Sequence, residues 1–271
     1  MTEELNVVQK NTAAPSIREV TPTAIGGWLR LGWRDFRQAG WPSLLHGLLV
    51  SGMSLIIVQI ALLFWPLLPG AVTGFLVVGP ILATGLYALS KRLEQGLPTS
   101  RWDVFNAWRH ATRCLLRFGL LLVFVATAWV LVSVALFHYF VDVEIASTLD
   151  FLRYVIQQDD TVFLLWTLLA GLVAAVTFAV TVVSVPLLVD RDVTMPVALA
   201  TSVRAVAENP VTMAVWALFI LLATGFSIAT LMVGFIVVYP VMGHASWHVY
   251  RDVVDVSGLS PRNPAAESCS G

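Results

Sequence analysis

The chain has 271 residues, of which 58% are hydrophobic and only 12% are charged, and its formal net charge is −1. Soluble domains carry about twice that charged fraction, so the composition excludes a soluble globular protein. The net charge argues neither for nor against nucleic-acid binding, but no basic tract occurs, so nucleic acid is not expected as a partner.

The chain opens with residues 1–20, a polar segment without sustained periodicity that predicts a disordered cytoplasmic tail. No short apolar core of a signal peptide precedes the first apolar run. Residues 21–257 are predicted to form one six-helix membrane domain. Residues 258–271, rich in Ser, Pro and Gly, predict a second disordered cytoplasmic tail.

Long windows without any charged residue define the membrane-spanning helices. These windows are residues 43–90, 118–141, 161–189 and 209–250. A helix needs about 20 residues to cross roughly 30 Å of hydrocarbon, so the first and last windows hold two helices each. Proline and glycine end helices, which separates the first pair at residues 65–70, and we place the second separation near residues 225–229. The predicted spans are residues 43–65, 68–90, 117–141, 161–189, 210–228 and 230–250.

The distribution of basic residues predicts the orientation of these spans. If the N-terminus is cytoplasmic, the inner segments contain 15 of the 16 Lys and Arg residues. The long outer loop, residues 142–160, is acidic. Cytoplasmic loops are the ones that collect Lys and Arg, so we expect both termini of this six-span protein to be cytoplasmic. The inner segments are residues 1–42, 91–117, 190–208 and 251–271.

An amphipathic stretch precedes each pair of spans, at residues 27–37, 100–110 and 197–206. Tryptophan suits the headgroup layer, and a neighbouring Arg gains about 1 kcal/mol near an anionic leaflet. We therefore predict three interfacial helices that anchor the chain, or that dock a specific lipid or partner. The predicted lipid-interface residues are Trp28, Arg34, Trp102, Trp108, Arg109 and Arg204.

The later span of each pair carries a Val-Val run that leads into a proline: Pro80, Pro186 and Pro240. The predicted fold class is therefore all-α integral membrane, with three transmembrane hairpins that each follow a cytoplasmic interfacial helix. Proline inside a span removes a backbone hydrogen bond and kinks the helix. The three kinks either open a shared cavity or serve helix packing.

Several motifs resemble those of a known family. They are Leu-Gly-Trp-Arg-Asp-Phe at 31–36, Gly-Pro-Ile-Leu-Ala-Thr-Gly-Leu-Tyr at 79–87, Pro-Leu-Leu-Val-Asp-Arg-Asp-Val at 186–193, and Tyr-Pro-Val-Met-Gly-His-Ala-Ser-Trp-His at 239–248. Over roughly residues 25–255 the chain resembles the bacterial integral membrane family catalogued as domain of unknown function 2189. The resemblance implies a bacterial cytoplasmic (inner) membrane. Some members of that family are labelled as a cytochrome c oxidase subunit.

Histidines are the candidate ligands for haem or a metal ion. His244 and His248 are four residues apart and share one helix face, and His46 lies at a similar predicted depth. A metal site needs three or four ligands, and this pair supplies two. We expect no metal or cofactor and predict that these imidazoles hydrogen-bond to carbonyls, headgroups or water. A haem or metal site at His46, His244 and His248 is the alternative.

Apart from Arg117 at the cytoplasmic edge of the third span, the predicted spans contain no Asp, Glu, Lys or Arg, which argues against ion-coupled transport. The chain also lacks a phosphate-binding loop, a nucleophile elbow and paired membrane carboxylates, so an enzyme is not expected. We predict a structural, assembly or lipid-interacting role, with anionic lipid headgroups as partners and a homo-oligomer or membrane-protein partner as a further option. The alternatives are a transporter of a small or lipid-like solute and an accessory subunit of a respiratory complex.

Overall fold

The computed structural model describes residues 15–64, 67, 79–109, 113–140, 150 and 161–262. Within these ranges the chain is helical apart from turns and two isolated β-bridges, Ile17–Val254 and Arg191–Pro261. The predicted all-α class is confirmed. The helices are α1 (Ala24–Ala39), α2 (Trp41–Leu63), α3 (Thr84–Glu94), α4 (Arg101–Arg109), α5 (Arg113–Phe140), α6 (Thr161–Thr181), α7 (Ser184–Asp190), α8 (Met195–Glu208), α9 (Pro210–Ala229) and α10 (Phe235–Val253).

Among the residues that the structure describes, four stretches of helix are long and apolar enough to cross a membrane. They are Trp41–Ile60, Leu115–Phe140, Phe163–Asp190 and Pro210–Ala229, and they coincide with the first, third, fourth and fifth predicted spans. Large apolar side chains such as those of Leu120 and Leu222 are exposed on these helices. Because lipid tails solvate apolar surface, this exposure fits a protein whose surroundings are a bilayer.

The predicted second span is described only in part, and the predicted sixth span begins later than expected. Residues 68–78 of the second span lie outside the described residues, and its later part forms α3. The break predicted near residues 225–229 falls at the end of α9, which ends at Ala229, one residue beyond the predicted end of the fifth span. The turn covers residues 230–234, where Leu231 and Met232 adopt left-handed φ values of 53° and 67°. Helix α10 therefore begins five residues later than predicted.

Helix α10 is the centre of the described helices and packs against α1, α2, α3 and α9. Two glycines allow the closest of these contacts. A Cβ atom built on Gly32 of α1 would lie 2.7 Å from the backbone nitrogen of Ala245, and one built on Gly47 of α2 would collide with the backbone of Ile236. Small residues at such positions let helix backbones approach each other, which is a common packing mode in membranes.

The predicted fourth span is interrupted before Pro186. Helix α6 ends at Thr181 and α7 begins at Ser184. Proline lacks an N–H group and disrupts the helical turn that precedes it. The backbone N–H of Val183 is satisfied from outside the span, since it donates to Ser202 Oγ of α8 at 3.1 Å. The interruption thus links α8 to this part of the membrane domain.

The described part of each predicted tail is folded against the membrane domain. The Arg18 N–H donates to the carbonyl of Val253 at 2.7 Å, and the Val20 N–H donates to Asn209 Oδ1 at 2.7 Å. Near the other end, the Arg262 N–H donates to the carbonyl of Asp190 at 3.1 Å, and Leu259 is buried. Residues 15–20 and 258–262 therefore belong to the folded domain, because long-range hydrogen bonds fix them to it.

Candidate functional site

The predicted histidines take part in a chain of polar side chains that joins α1, α2, α3 and α10. Asp35 Oδ2 lies 2.8 Å from His248 Nε2 and 2.9 Å from Ser90 Oγ. Ser90 Oγ lies 2.7 Å from His244 Nδ1, and His244 Nε2 lies 2.7 Å from Ser43 Oγ. All of these residues except His248 are buried. We call this set of five residues the relay.

The number of available protons fixes the direction of each hydrogen bond in the relay. Ser90 has one hydroxyl proton and donates it to Asp35. His244 Nδ1 must then donate to Ser90, which leaves Nε2 of the neutral ring to accept the hydroxyl proton of Ser43. Both nitrogens of His244 are thus engaged by serines. This arrangement leaves that ring no free nitrogen for a metal ion or a haem iron.

Asp35 is the only acid of the relay and is 1% exposed. Burial by itself would raise its pKa. The hydrogen bond and charge of His248 and the hydrogen bond from Ser90 outweigh that effect, so the pKa of Asp35 lies below its ordinary value of 3.8. Its second oxygen lies 3.8 Å from Arg34, a side chain that is more than half exposed. Asp35 is therefore a buried carboxylate that its neighbours hold in the charged form.

His46 lies beside the relay but is not one of its members. Its imidazole is 1% exposed and stacks on Tyr239, with ring centroids 5.9 Å apart and planes 5° from parallel. The sequence grouped His46 with His244 and His248, whose nitrogens bond to serines and to Asp35. Within the described residues, no group of three or more His, Cys, Asp or Glu side chains could hold a metal ion.

A second polar cluster surrounds Asp190 at the end of α7. Lys91 Nζ lies 3.1 Å from Asp190 Oδ1, and Arg191 Nε lies 3.1 Å from Oδ2. The Tyr250 hydroxyl donates to Oδ2 at 2.8 Å, and Arg251 lies 3.6 Å from the same oxygen. We call these five residues the Asp190 cluster. It brings together residues from three of the predicted inner segments.

The Asp190 cluster continues into further contacts of α10. Arg251 also bonds to Glu94 Oε1 at 2.8 Å, and the Trp247 indole donates to Glu94 Oε2 at 3.1 Å. Arg18 of the N-terminal segment donates to the carbonyl of Arg251 at 3.2 Å. All four segments that were predicted to face the cytoplasm are therefore joined in one polar layer, which consists of the relay, the Asp190 cluster and these contacts.

The two predicted lipid-interface residues of α1, Trp28 and Arg34, lie on different faces of the helix. Trp28 is 2% exposed, donates its indole N–H to Asp252 Oδ2 at 2.7 Å and packs edge-on against Trp216. Its ring thus contacts protein, in contrast to the headgroup location predicted for it, because the face it shares with Gly32 packs on α10. Arg34 lies on the opposite, exposed face of α1, next to Trp33.

The remaining predicted lipid-interface residues lie on α4 and α8. Trp102 is exposed and packs edge-on against Phe105. Arg204 pairs with Glu208 at 3.0 Å and donates to the carbonyl of Pro15 at 3.3 Å. The side chains of Trp108 and Arg109 lie outside the described part of the structure, so their predicted locations stay predictions.

An apolar cavity of about 640 Å³ lies between α6, α9, α10 and the segment 79–87. Many of its walls are small residues, which leave space between the helices. Of the three span prolines, which are all among the described residues, Pro80 alone lines the cavity. The small residues in its walls are Gly79, Ala83, Ala170, Gly171, Ala174, Ala175, Ala217, Ala223 and Gly243.

Sequence reasoning missed four important polar residues, namely Ser43, Ser90, Asp35 and Asp190. The two acids were treated as members of solvated inner segments, and the serines as ordinary ends of spans. A signal for Asp35 was present, because Trp28, Gly32 and Asp35 recur at helical spacing on the face of α1 that is buried. A charged residue on an otherwise packed face points to a buried partner.

Comparison with known proteins gives one match. Residues 67–190 match the model of a family described as "Predicted integral membrane protein (DUF2189)". No curated protein and no solved structure matches the chain. The predicted family resemblance is thereby confirmed for residues 67–190, and the motifs at 31–36 and 239–248 lie outside the matched residues.

Proposed function

We propose that this chain, whose residues 67–190 match the model of the DUF2189 family of predicted integral membrane proteins, acts as a non-enzymatic, lipid-interacting protein. The two faces of α1 carry this proposal. One face packs on α10 through Gly32 and Asp35, whereas Arg30, Arg34 and Arg37 lie on the exposed part of the helix.

The chemistry of the exposed face suits anionic headgroups. Trp33 is 46% exposed, and Trp41, just beyond the end of α1, is 57% exposed. Exposed indoles favour the headgroup layer, and each Arg near an anionic leaflet gains about 1 kcal/mol. We propose that this face lies on the cytoplasmic leaflet and holds the polar layer at a fixed depth.

The proposed arrangement in the membrane has six spans with both termini cytoplasmic, in a cytoplasmic (inner) membrane. The charge-free windows and the joining of the four basic segments in one polar layer support it. The test is a pair of reporters, one fused after Asp150 and one after Gly271. We expect them on opposite sides of the membrane, and finding both in one compartment would refute this topology.

The lipid proposal is tested by native mass spectrometry of protein in mixed micelles of phosphatidylglycerol and phosphatidylcholine. The triple variant Arg30→Gln, Arg34→Gln, Arg37→Gln should lose its preference for phosphatidylglycerol by about 1 kcal/mol per Arg. The control Arg92→Gln changes an Arg that already pairs with Asp103 at 3.3 Å and donates to the Pro98 carbonyl. An unchanged preference in the triple variant would rule out this role of α1.

A second candidate function, transport of a small or lipid-like solute, is favoured by the apolar cavity. A carrier must move its solute across, whereas a lipid-interacting scaffold only retains lipid. Saturable uptake of a lipid-like solute into proteoliposomes, lost when the cavity is filled by Gly171→Leu, would favour transport. Retention of lipid without uptake would favour the scaffold role.

A further inference from the structure

We infer that the apolar cavity holds one acyl chain of an anionic lipid, whose headgroup lies at the Asp190 cluster. This inference rests on the proposed lipid-interacting function and names the ligand and the site. It is carried by three properties of the cavity: its apolar walls, its length, and the charge at one end.

Three hydroxyl groups of the cavity walls are already hydrogen-bonded within the protein. Thr181 Oγ1 donates to the Thr177 carbonyl at 2.6 Å, Ser246 Oγ donates to Met242 at 2.8 Å, and the Tyr239 hydroxyl donates to Gly79 at 2.7 Å. A polar ligand would lose hydration there without gaining partners, which is costly. An apolar chain incurs no such cost and fills space that would otherwise lack van der Waals contacts.

The cavity is elongated along the helices. Along α6 and the residue that follows it, the wall extends from Trp166 to Val182, and on α10 the wall extends from Phe235 to Ser246. At 1.5 Å per residue these walls are about 24 Å and about 16 Å long. One leaflet of a bilayer has a hydrocarbon thickness of about 15 Å. The shorter wall, on α10, therefore matches one lipid tail that lies parallel to the helices.

Positive charge lies beyond one end of the cavity. Tyr87 and Ser246 line the cavity, and Lys91 and Arg251 follow them four and five residues later on α3 and α10. Three cations, Lys91, Arg191 and Arg251, face the two carboxylates of Asp190 and Glu94, so one positive charge remains in excess. Lys91 and Arg251 keep 24% and 29% of their side chains exposed. This end thus complements a single anionic headgroup.

Two glycines provide a matched pair of variants. A Cβ atom on Gly171 of α6 and one on Gly225 of α9 would each meet nothing within 4 Å. Gly171 lines the cavity, whereas Gly225 is not one of its wall residues. The side chain added by Gly171→Leu should occupy the cavity, and the one added by Gly225→Leu should extend from an exposed helix surface.

The experiment is photolabelling of the full-length protein in phosphatidylcholine nanodiscs that contain phosphatidylglycerol with a diazirine on one acyl chain. We expect labelling of wall residues such as Ala174 and Met242. The Gly171→Leu variant should reduce that labelling at least about tenfold, the equivalent of roughly two buried methylene groups, and Gly225→Leu should leave it unchanged. Ala174→Leu is a second cavity-filling variant for use if Gly171→Leu does not fold.

Equal labelling of wall residues in Gly171→Leu and Gly225→Leu would overturn the inference, as would labelling confined to lipid-facing residues such as Leu172. The same diazirine chain on phosphatidylcholine should label the walls more weakly, and equal labelling would overturn the anionic headgroup. The phosphatidylglycerol preference of the α1 triple variant is a separate measurement. If that preference depends on α1 while wall labelling is absent, the inference fails and the proposed function stands.

Discussion

The two halves of α10 lie in opposite surroundings. From Gly243 onward the helix contributes His244, His248 and Arg251 to the polar layer, where nearly every polar atom has a defined partner. Before Gly243 it contributes Phe235 and Met242 to the wall of an apolar cavity. The C-terminal half is specified by directional bonds between distant residues, and the N-terminal half by the size of side chains. One helix thus combines an end that is held by hydrogen bonds and ion pairs with an end that lines an apolar cavity.

The largest expected difference is between deleting one polar group of the Asp190 cluster and deleting one of the cavity wall. Asp190→Ala leaves Lys91, Arg191 and Arg251 without their shared carboxylate, and we expect a loss of about 3 kcal/mol of stability, since removing one partner of a buried pair is strongly destabilising. Thr181→Val removes a cavity hydroxyl that bonds only within its own helix, and the expected cost is below about 1 kcal/mol. Thermal unfolding in detergent measures both. Similar losses of stability in the two variants would contradict the difference between the polar layer and the cavity wall.

The second prediction uses one substitution at two glycines. Gly32→Ala adds a methyl group 2.7 Å from the backbone of Ala245, and overpacking of this kind costs about 1–3 kcal/mol. Gly171→Ala adds the same group to open space in the cavity wall, where the higher helix propensity of Ala should stabilise the protein by up to about 1 kcal/mol. Unfolding midpoints of the two variants should shift in opposite directions. A stabilised Gly32→Ala variant would show that α1 and α10 are not closely packed.

The third and smallest effect is the pH dependence of the relay. The pKa of Asp35 lies below its ordinary value of 3.8, so its contribution to stability is complete above that value. The contribution is lost as the pH falls through the lower pKa of the folded state. The unfolding midpoint of the wild type should therefore decrease more steeply in acid than that of Asp35→Asn. Parallel profiles of the two proteins between neutral and acidic pH would contradict the bonds assigned to Asp35.

The sequence predicted the helical class and the location of four membrane helices because an absence of charge over 20 or more residues is a local property. It could not predict the relay, because Asp35 and His248 are 213 residues apart and no local pattern pairs them. The start of α10 was predicted five residues too early for a related reason. Leu231 and Met232 adopt left-handed φ values, so no glycine marks the left-handed positions of the turn before α10.

The two β-bridges have a consequence for counting membrane crossings. Ile17 pairs with Val254 and Arg191 pairs with Pro261, so these four residues share one side of the bilayer. A chain that returns to its starting side must cross an even number of times. Three of the apolar helices lie between Ile17 and Arg191, and one lies between Arg191 and Val254. With the four helices found among the described residues, each interval needs at least one further crossing to make its number even, which supports the proposed total of six with α10 as the proposed crossing of the second interval.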